Sequence, residues 1–449
     1  MSESSQTLEV CRYIAGTRQR TFPADVLDEA RKCLLDWTAV CVGAYDAPEA
    51  ARLHQVLRAW RSQGQARMLW GGQSSAAVTA LINGSLSHCL DYDDTHIPSV
   101  IHVSGPLWAA LLAVGSAQGC EEALLLRAFV TGFEVAARIG DQGVGIRLNN
   151  SGWHSTSTLG RLAVAAGVAV LLDLDEAQTA HALGLAATQA SGLTASFGTM
   201  AKPLHAGKTA MDGILAAELA QAGFEGATGV LDVHSPLLRT LLQDPELVLH
   251  MAPFDAVWEI CRNSFKPYAA CQLTHGAIDA ARQARAKVAG RAIARMRAEV
   301  NPLAIKIANI RKASTPTEGR FSMGYCVALG LQGHAVTVQD FLPARLQEPE
   351  LQELADRLES VADETVSRTA ARLHLELEDG SHLTEWVEHA FGSIGNPLGW
   401  PELETKFMAL VEPVTGRAAE SLRYLRAFGA GPSAAPLFDL TVPRAGPPA

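Results

Sequence analysis

Between residues 26 and 223 the chain is a succession of Ala/Leu-rich segments whose apolar residues recur every three or four positions, separated by polar or glycine-containing breaks. That period buries one stripe of each segment against its neighbours, as helices packed on helices require. Residues 121–139 open on acids and close with an arginine, the polarity that a helix dipole favours. Residues 175–190 and 206–221 repeat the apolar spacing. Aromatic residues supply only 6% of the chain, so this core is built from Ala, Leu and Val rather than from the aromatic inner faces of a β-sandwich.

The character changes after Pro267. Residues 298–307 contain a strand pattern, and 372–378 (RLHLELE) alternates with period two. Asp379-Gly380 follows at once and leads into HLTEWV, which predicts a hairpin. Residues 399–409 return to helix, with Pro401 near the start, where a missing N–H does no harm. The stretch from about Gly429 is rich in Pro, Gly and Ala and reads as a fraying tail. At 449 residues the chain exceeds what one core supports. The fold class expected is mainly α: an all-helical domain of residues 1–268 with 396–449, and a smaller, lid-like α+β domain of residues 269–395.

The formal net charge of -10 argues against nucleic acid or an anionic membrane as partner, since both need a basic footprint. An acidic small molecule would need a local basic pocket. Only 8 of the 37 basic residues are lysines, and Lys202 and Lys266 lie in stretches otherwise poor in charge, which makes them pocket candidates. The eight cysteines include no CxxC pair and read as reduced thiols of a cytoplasmic protein. The N-terminus lacks the basic and apolar pattern of a secretion signal. The most apolar runs, 105–119 and 162–172, fall short of the ~18 residues of a membrane span and read as core helices.

Chemistry-bearing residues are densest at His88, Asp91, Asp93, Asp94, Thr95, His96 and His102. If a helix runs to about Asp94, then His88, Asp91 and Thr95 share a face, and Pro98 makes 95–102 a loop. A calcium loop fails here: its sixth position is His96 rather than glycine and its twelfth is His102 rather than glutamate. His96 and His102 are also six apart, which does not suit zinc or iron, so no metal is expected. A solvated acidic helix end is the plain alternative. His154 precedes an apolar helix whose N-terminal N–H groups suit a carboxylate, although capping by the serines and threonines around it explains most of that cluster. Lys202 precedes Pro203 at another helix start. No G-x-S-x-G elbow or P-loop is present, and Gly143-x-Gly145 lacks the strand and third glycine of a dinucleotide site.

Taken together, LDYDDTHIPSVIHVSGP (90–106), GWHSTSTLG (152–160), KPLHAGKTAMDG (202–213), SFKPYAACQLTHGAIDA (264–280), GRFSMGYCVA (319–328) and NPLGWPELETKF (396–407) resemble the MmgE/PrpD family, in the expected order over most of the chain. That family includes 2-methylcitrate dehydratases, cis-aconitate decarboxylases and iminodisuccinate epimerases. The resemblance implies a helical domain made from both ends of the chain, an inserted α+β domain and a homodimer without metal or organic cofactor. It also implies a pocket of Asp91, Thr95, His102, His154, Lys202, Lys266 and Tyr325. Many relatives read H-P-S-G where this chain has His102-Val103-Ser104-Gly105, and the 95–102 loop is one residue longer than in the animal decarboxylase, which leaves His96 as a substitute for His102. After Lys266-Pro267, Tyr268-Ala-Ala-Cys271 keeps one of the two cysteines often found there.

All three family reactions pass through a carbanion or enediolate beside a carboxylate, which nearby cations and donors must stabilise. The expectation is a lyase on a small polycarboxylate. Lys202 and Lys266, with Thr95 and His96, bind substrate; His102 or His154 moves the proton; Asp91 orients a histidine or acts as base; Tyr325 donates from the small domain. An aminodicarboxylate epimerase and a non-catalytic dicarboxylate binder are the alternatives.

Overall fold

The computed structural model describes residues 5–446. Among them are 20 α-helices and only small sheets, so the fold is mainly α with a minor strand-containing region. The centre is formed by the helices Ser104–Gln118 and Ser155–Leu172. Gly119 ends the first in a left-handed cap, and every residue of the second is buried. Glu122–Gly140 and Ala201–Gln221 pack against Ser155–Leu172, and Ala76–Leu86 packs against Ala201–Gln221. The helix Ser155–Leu172 starts before its apolar run. Its 18 residues and mean hydropathy of 1.5 are enough to cross a membrane by length and composition, but it lies inside the protein.

Two of these helices touch through bare backbone. A Cβ on Gly84 would lie 2.8 Å from the Cα of Gly207, and one on Gly207 would lie 2.1 Å from the carbonyl oxygen of Leu81. With no side chain between them, Ala76–Leu86 and Ala201–Gln221 are held at one spacing. The chain that leaves the first carries Asp91, and the first turn of the second carries Lys202. Helix geometry does not extend to Asp94, as the sequence spacing suggested. The helix stops at Leu86, and Asp91 adopts a left-handed φ of 49° within a run of turns. Lys202 likewise lies inside its helix rather than before it.

The four-stranded sheet has the order Leu358–Ala362, Ile293–Val300, Ala371–Leu377, His382–Val387. Its first pair is parallel and the others antiparallel. Gly380, at φ 81°, turns the expected hairpin. The helix His275–Val288 packs on Ala371–Leu377 and His382–Val387 and against the helix Met323–Gln332, which closes a second, smaller core. The strand predicted within 298–307 begins earlier, at Ile293, and ends at Val300. Pro302 then opens the short helix Pro302–Ile307, capped by the Asn301 side chain.

The helix Trp400–Thr415 returns to pack on Ala24–Gly43. The expected frayed tail is corrected: Ala435–Leu440 is a helix, with Leu437 and Phe438 fully buried. Residues 447–449 lie outside the described residues. All eight cysteines are free thiols, six of them buried.

Candidate active site

Residues from the 88–102 turns, the 263–274 connection and the starts of two buried helices line a cavity with about 680 Å³ of empty space. Asp91, Thr95, His102, His154, Lys202 and Lys266 all face it. His154 is the N-cap residue of Ser155–Leu172, and Lys202 lies in the first turn of Ala201–Gln221. Two positive helix ends therefore meet the cavity beside two lysines. Thr95–His96 pairs with Asn263–Ser264 as a two-residue ladder, and this brings the Lys266 segment against the 88–102 turns. Gly145 permits the close return of that loop, because a Cβ there would overlap the Ser99 carbonyl.

Asp91 is the hub. Its Oδ1 accepts from Lys202 Nζ at 2.5 Å and lies 3.3 Å from Lys266 Nζ, which also donates to the Asp91 carbonyl at 2.8 Å. Burial works against the Asp91 charge, but the two ammoniums outweigh it and hold the carboxyl far below its ordinary range. Burial likewise opposes the charge of Lys266, and Asp91 with Asp93 overcomes it and raises the ammonium above the usual lysine value. Asp91 Oδ2 is buried without a partner.

Asp93 holds two imidazoles. Its Oδ2 lies 2.8 Å from His88 Nδ1 and 3.0 Å from His102 Nδ1. Burial opposes its charge, and the two histidines keep it well below the usual carboxylate range. The His102 Nδ1 also meets the Asp94 carbonyl at 3.0 Å and Thr95 Oγ1 at 3.1 Å. A carboxylate and a carbonyl only accept, so His102 presents Nδ1–H to them and keeps Nε2 for the cavity. The His102 backbone N–H donates to Thr156 Oγ1 at 3.0 Å, which ties the residue to the central helix. His88 is buried behind it, with its pKa pushed down to about 4 by burial more than Asp93 restores.

His154 Nδ1 lies 3.0 Å from His205 Nδ1, so one ring donates to the other. Burial, and then the charge of Lys202, holds His154 well below its ordinary value, and burial and Arg161 bring His205 to about 4. Both rings are neutral at neutral pH. The Ser155 N–H is satisfied by Asn149 Oδ1 at 3.1 Å rather than by a capping serine or threonine.

Beneath the cavity lies a second charged layer. Lys406 Nζ donates to Asp36 Oδ1 at 2.6 Å, to the Tyr92 carbonyl at 2.6 Å and to the Lys266 carbonyl at 3.1 Å. It thereby ties the backbone just after Asp91 to that of Lys266. Asp36 Oδ2 accepts from the Asp94 N–H at 3.1 Å, and Asp94 accepts from Ser104 Oγ at 2.6 Å. Burial, and then the neighbouring Asp36, raises Asp94 to about 7.

Two candidate residues stand elsewhere. His96 is fully buried, with Nδ1 at 2.7 Å from Ser99 Oγ and Nε2 at 3.1 Å from Glu259 Oε2, so neither ring nitrogen is free for a substrate. The Tyr325 hydroxyl donates to the Asp340 carbonyl at 2.8 Å inside the core and does not line the cavity. His88, Asp91 and His102 offer atoms within 4.8 Å of one another, a spacing that metal ligands can take. Lys202 and Lys266, however, already neutralise the Asp91 carboxylate that a cation would need. Sequence reasoning passed over Asp93, Lys406 and Arg368. Asp93 had a signal, since it stood inside the densest cluster.

The sequence of residues 8–250 matches the MmgE/PrpD N-terminal domain, and residues 268–427 match the MmgE/PrpD C-terminal domain. The chain belongs to the MmgE/PrpD family. Among its relatives, a cis-aconitate decarboxylase of Aspergillus terreus is 26% identical over 92% of this chain and 91% of its own length. The MmgE/PrpD chain is also similar to the cis-aconitate decarboxylase of Homo sapiens, at 28% identity over 74% of this chain and 71% of that protein. That of Mus musculus is 28% identical over 74% of this chain and 70% of its own length.

Proposed function

We propose that this MmgE/PrpD enzyme is a lyase that decarboxylates a small unsaturated tricarboxylate of the cis-aconitate type, using its own side chains and no cofactor. The observation that carries the reading is the convergence of Lys202 and Lys266 on Asp91 in the lining of one cavity, with His102 beside them on Asp93. The relatives named cis-aconitate decarboxylase support the substrate class.

The ammoniums of Lys202 and Lys266 bind substrate carboxylates. The bond to the departing carboxylate on the CH2 carbon breaks and CO2 leaves. Its electron pair forms a new C=C, and the old double-bond pair moves to the carbon beside a retained carboxylate. That charge spreads into the carboxylate as an enediolate, where cations fixed in place stabilise it more than water does. His102, held by Asp93 at Nδ1, delivers one proton from Nε2 to the carbon, and the product is a methylene-bearing dicarboxylate. Neutral His154 donates or accepts one hydrogen bond without adding charge.

Incubation with cis-aconitate in heavy water, followed by NMR, tests this. The expected result is CO2 release with one deuteron in each product molecule. Water loss from a 2-methylcitrate-type acid without CO2 release would make it a dehydratase. Deuterium exchange into an aminodicarboxylate at a stereocentre would make it an epimerase. Binding without any turnover would leave a binder.

A further inference from the structure

Arg368 stands in the connection between strands Leu358–Ala362 and Ala371–Leu377 and lines the same cavity as Lys202. It lines two adjoining spaces. One is the inner cavity, and the other is an outer pocket bordered by Asn150, Asn301, Lys306 and Glu364. Leu303 is the other residue common to both, so Arg368 and Leu303 form the neck between them.

The guanidinium is half-buried and makes one hydrogen bond, from Nη1 to the Ile97 carbonyl at 3.0 Å. Among the described residues it has no ion pair. Asp141, the acid whose charge bears on it, is already paired with Arg262 at 3.1 Å. Arginine does not escape its charge by losing a proton. A partly desolvated cation with free donors is therefore unfavourable until an anion arrives. The two lysines that line the inner cavity, Lys202 and Lys266, are engaged with Asp91, and Lys406 behind them with Asp36.

We infer that Arg368 is a specificity-determining residue: its guanidinium clamps the substrate carboxylate most remote from Lys202 and Lys266, and so selects tricarboxylates over dicarboxylates. This rests on the polycarboxylate reading above. The planar fork matches a carboxylate with two parallel hydrogen bonds, which a lysine cannot reproduce. In a chain of net charge -10, a cation at the neck also draws a polyanion inward.

The test is calorimetric binding of propane-1,2,3-tricarboxylate and of methylbutanedioate, the same acid without one terminal carboxyl, to the full chain and to Arg368→Ala and Arg368→Lys. Both acids are saturated, so binding is read without turnover. Arg368→Ala should weaken the tricarboxylate by roughly tenfold to a hundredfold and methylbutanedioate, which lacks the carboxylate that the clamp would hold, by less than about threefold. Arg368→Lys should fall between, and it decides the matter if the alanine variant does not fold.

Equal weakening of both acids, or unchanged tricarboxylate affinity, overturns the clamp. No tricarboxylate binding to the unaltered chain overturns both the clamp and the lyase. Absence of CO2 release from cis-aconitate with the selective weakening intact removes the decarboxylase alone.

Discussion

Asp93 Oδ2 lies 3.0 Å from His102 Nδ1, so the imidazole that faces the cavity is held by its far edge and its tautomer is set by a carboxylate. Asp93→Asn keeps the shape and removes the charge that stabilises a protonated His102. Turnover should fall by roughly a hundredfold or more, with KM little changed. Steady-state kinetics check this, and a kcat within about threefold of the unaltered enzyme would remove Asp93 from the proton transfer.

The two buried lysines 140 positions apart should respond in opposite ways. Lys266→Met leaves Asp91 still paired with Lys202 at 2.5 Å, so the thermal midpoint should shift little while turnover falls by about a hundredfold or more. Lys406→Met strands Asp36, a fully buried carboxylate, and should destabilise the fold by about 3 kcal/mol or more. Thermal melts and turnover on both variants give the comparison, and a stable Lys406→Met protein would contradict the assigned role.

Asp94 makes stability depend on pH in a defined direction. An aspartate in an unfolded chain titrates near 3.9, whereas burial and Asp36 raise Asp94 to about 7 in the fold. The folded state therefore holds a proton that the unfolded state has released. This contribution is full below about pH 4 and is lost as pH rises through about 7. Asp94→Asn should flatten that decline by up to a few kcal/mol, and melts taken from pH 4 to pH 8 would show it. A variant whose midpoint declines in parallel with the unaltered chain would refute the assignment.

Gly207→Ala tests the coupling of packing to the site. The added methyl would meet the Leu81 carbonyl at 2.1 Å and Ser85 Oγ at 2.2 Å. The helices must part, which costs about 1–3 kcal/mol. Because Lys202 rides on the displaced helix, turnover should drop as well. A melt combined with an activity assay reads both effects, and full activity at a lowered midpoint would uncouple them.

The helices were legible because a 3.6-residue period survives wherever a helix buries one face, and the Asp379-Gly380 hairpin was legible because its turn chemistry is local. The 88–94 turns were not, since the left-handed backbone of Asp91 is imposed by the contacts of Lys202 and Lys266 rather than by its neighbours in sequence. His96 and Tyr325 misled for a related reason. Residue type shows that a ring nitrogen or hydroxyl exists, not that Glu259 or the Asp340 carbonyl has already taken it. Arg368 sits in a polar connection between strands and looks there like any solvated arginine. Lys406 meets Asp36 across 370 positions, a distance no local pattern spans.

The glycine contact between Ala76–Leu86 and Ala201–Gln221 also bears on how such a pocket can be retuned for a different acid. With main chain against main chain, that half offers no spacer residue whose size could be traded to move Lys202 relative to Asp91. Freedom lies in the small domain's share of the lining, where Leu303 and Ile307 hang from a six-residue helix and Arg368 from a connection between strands. Libraries that seek new substrates should diversify that rim and leave the glycine seam untouched.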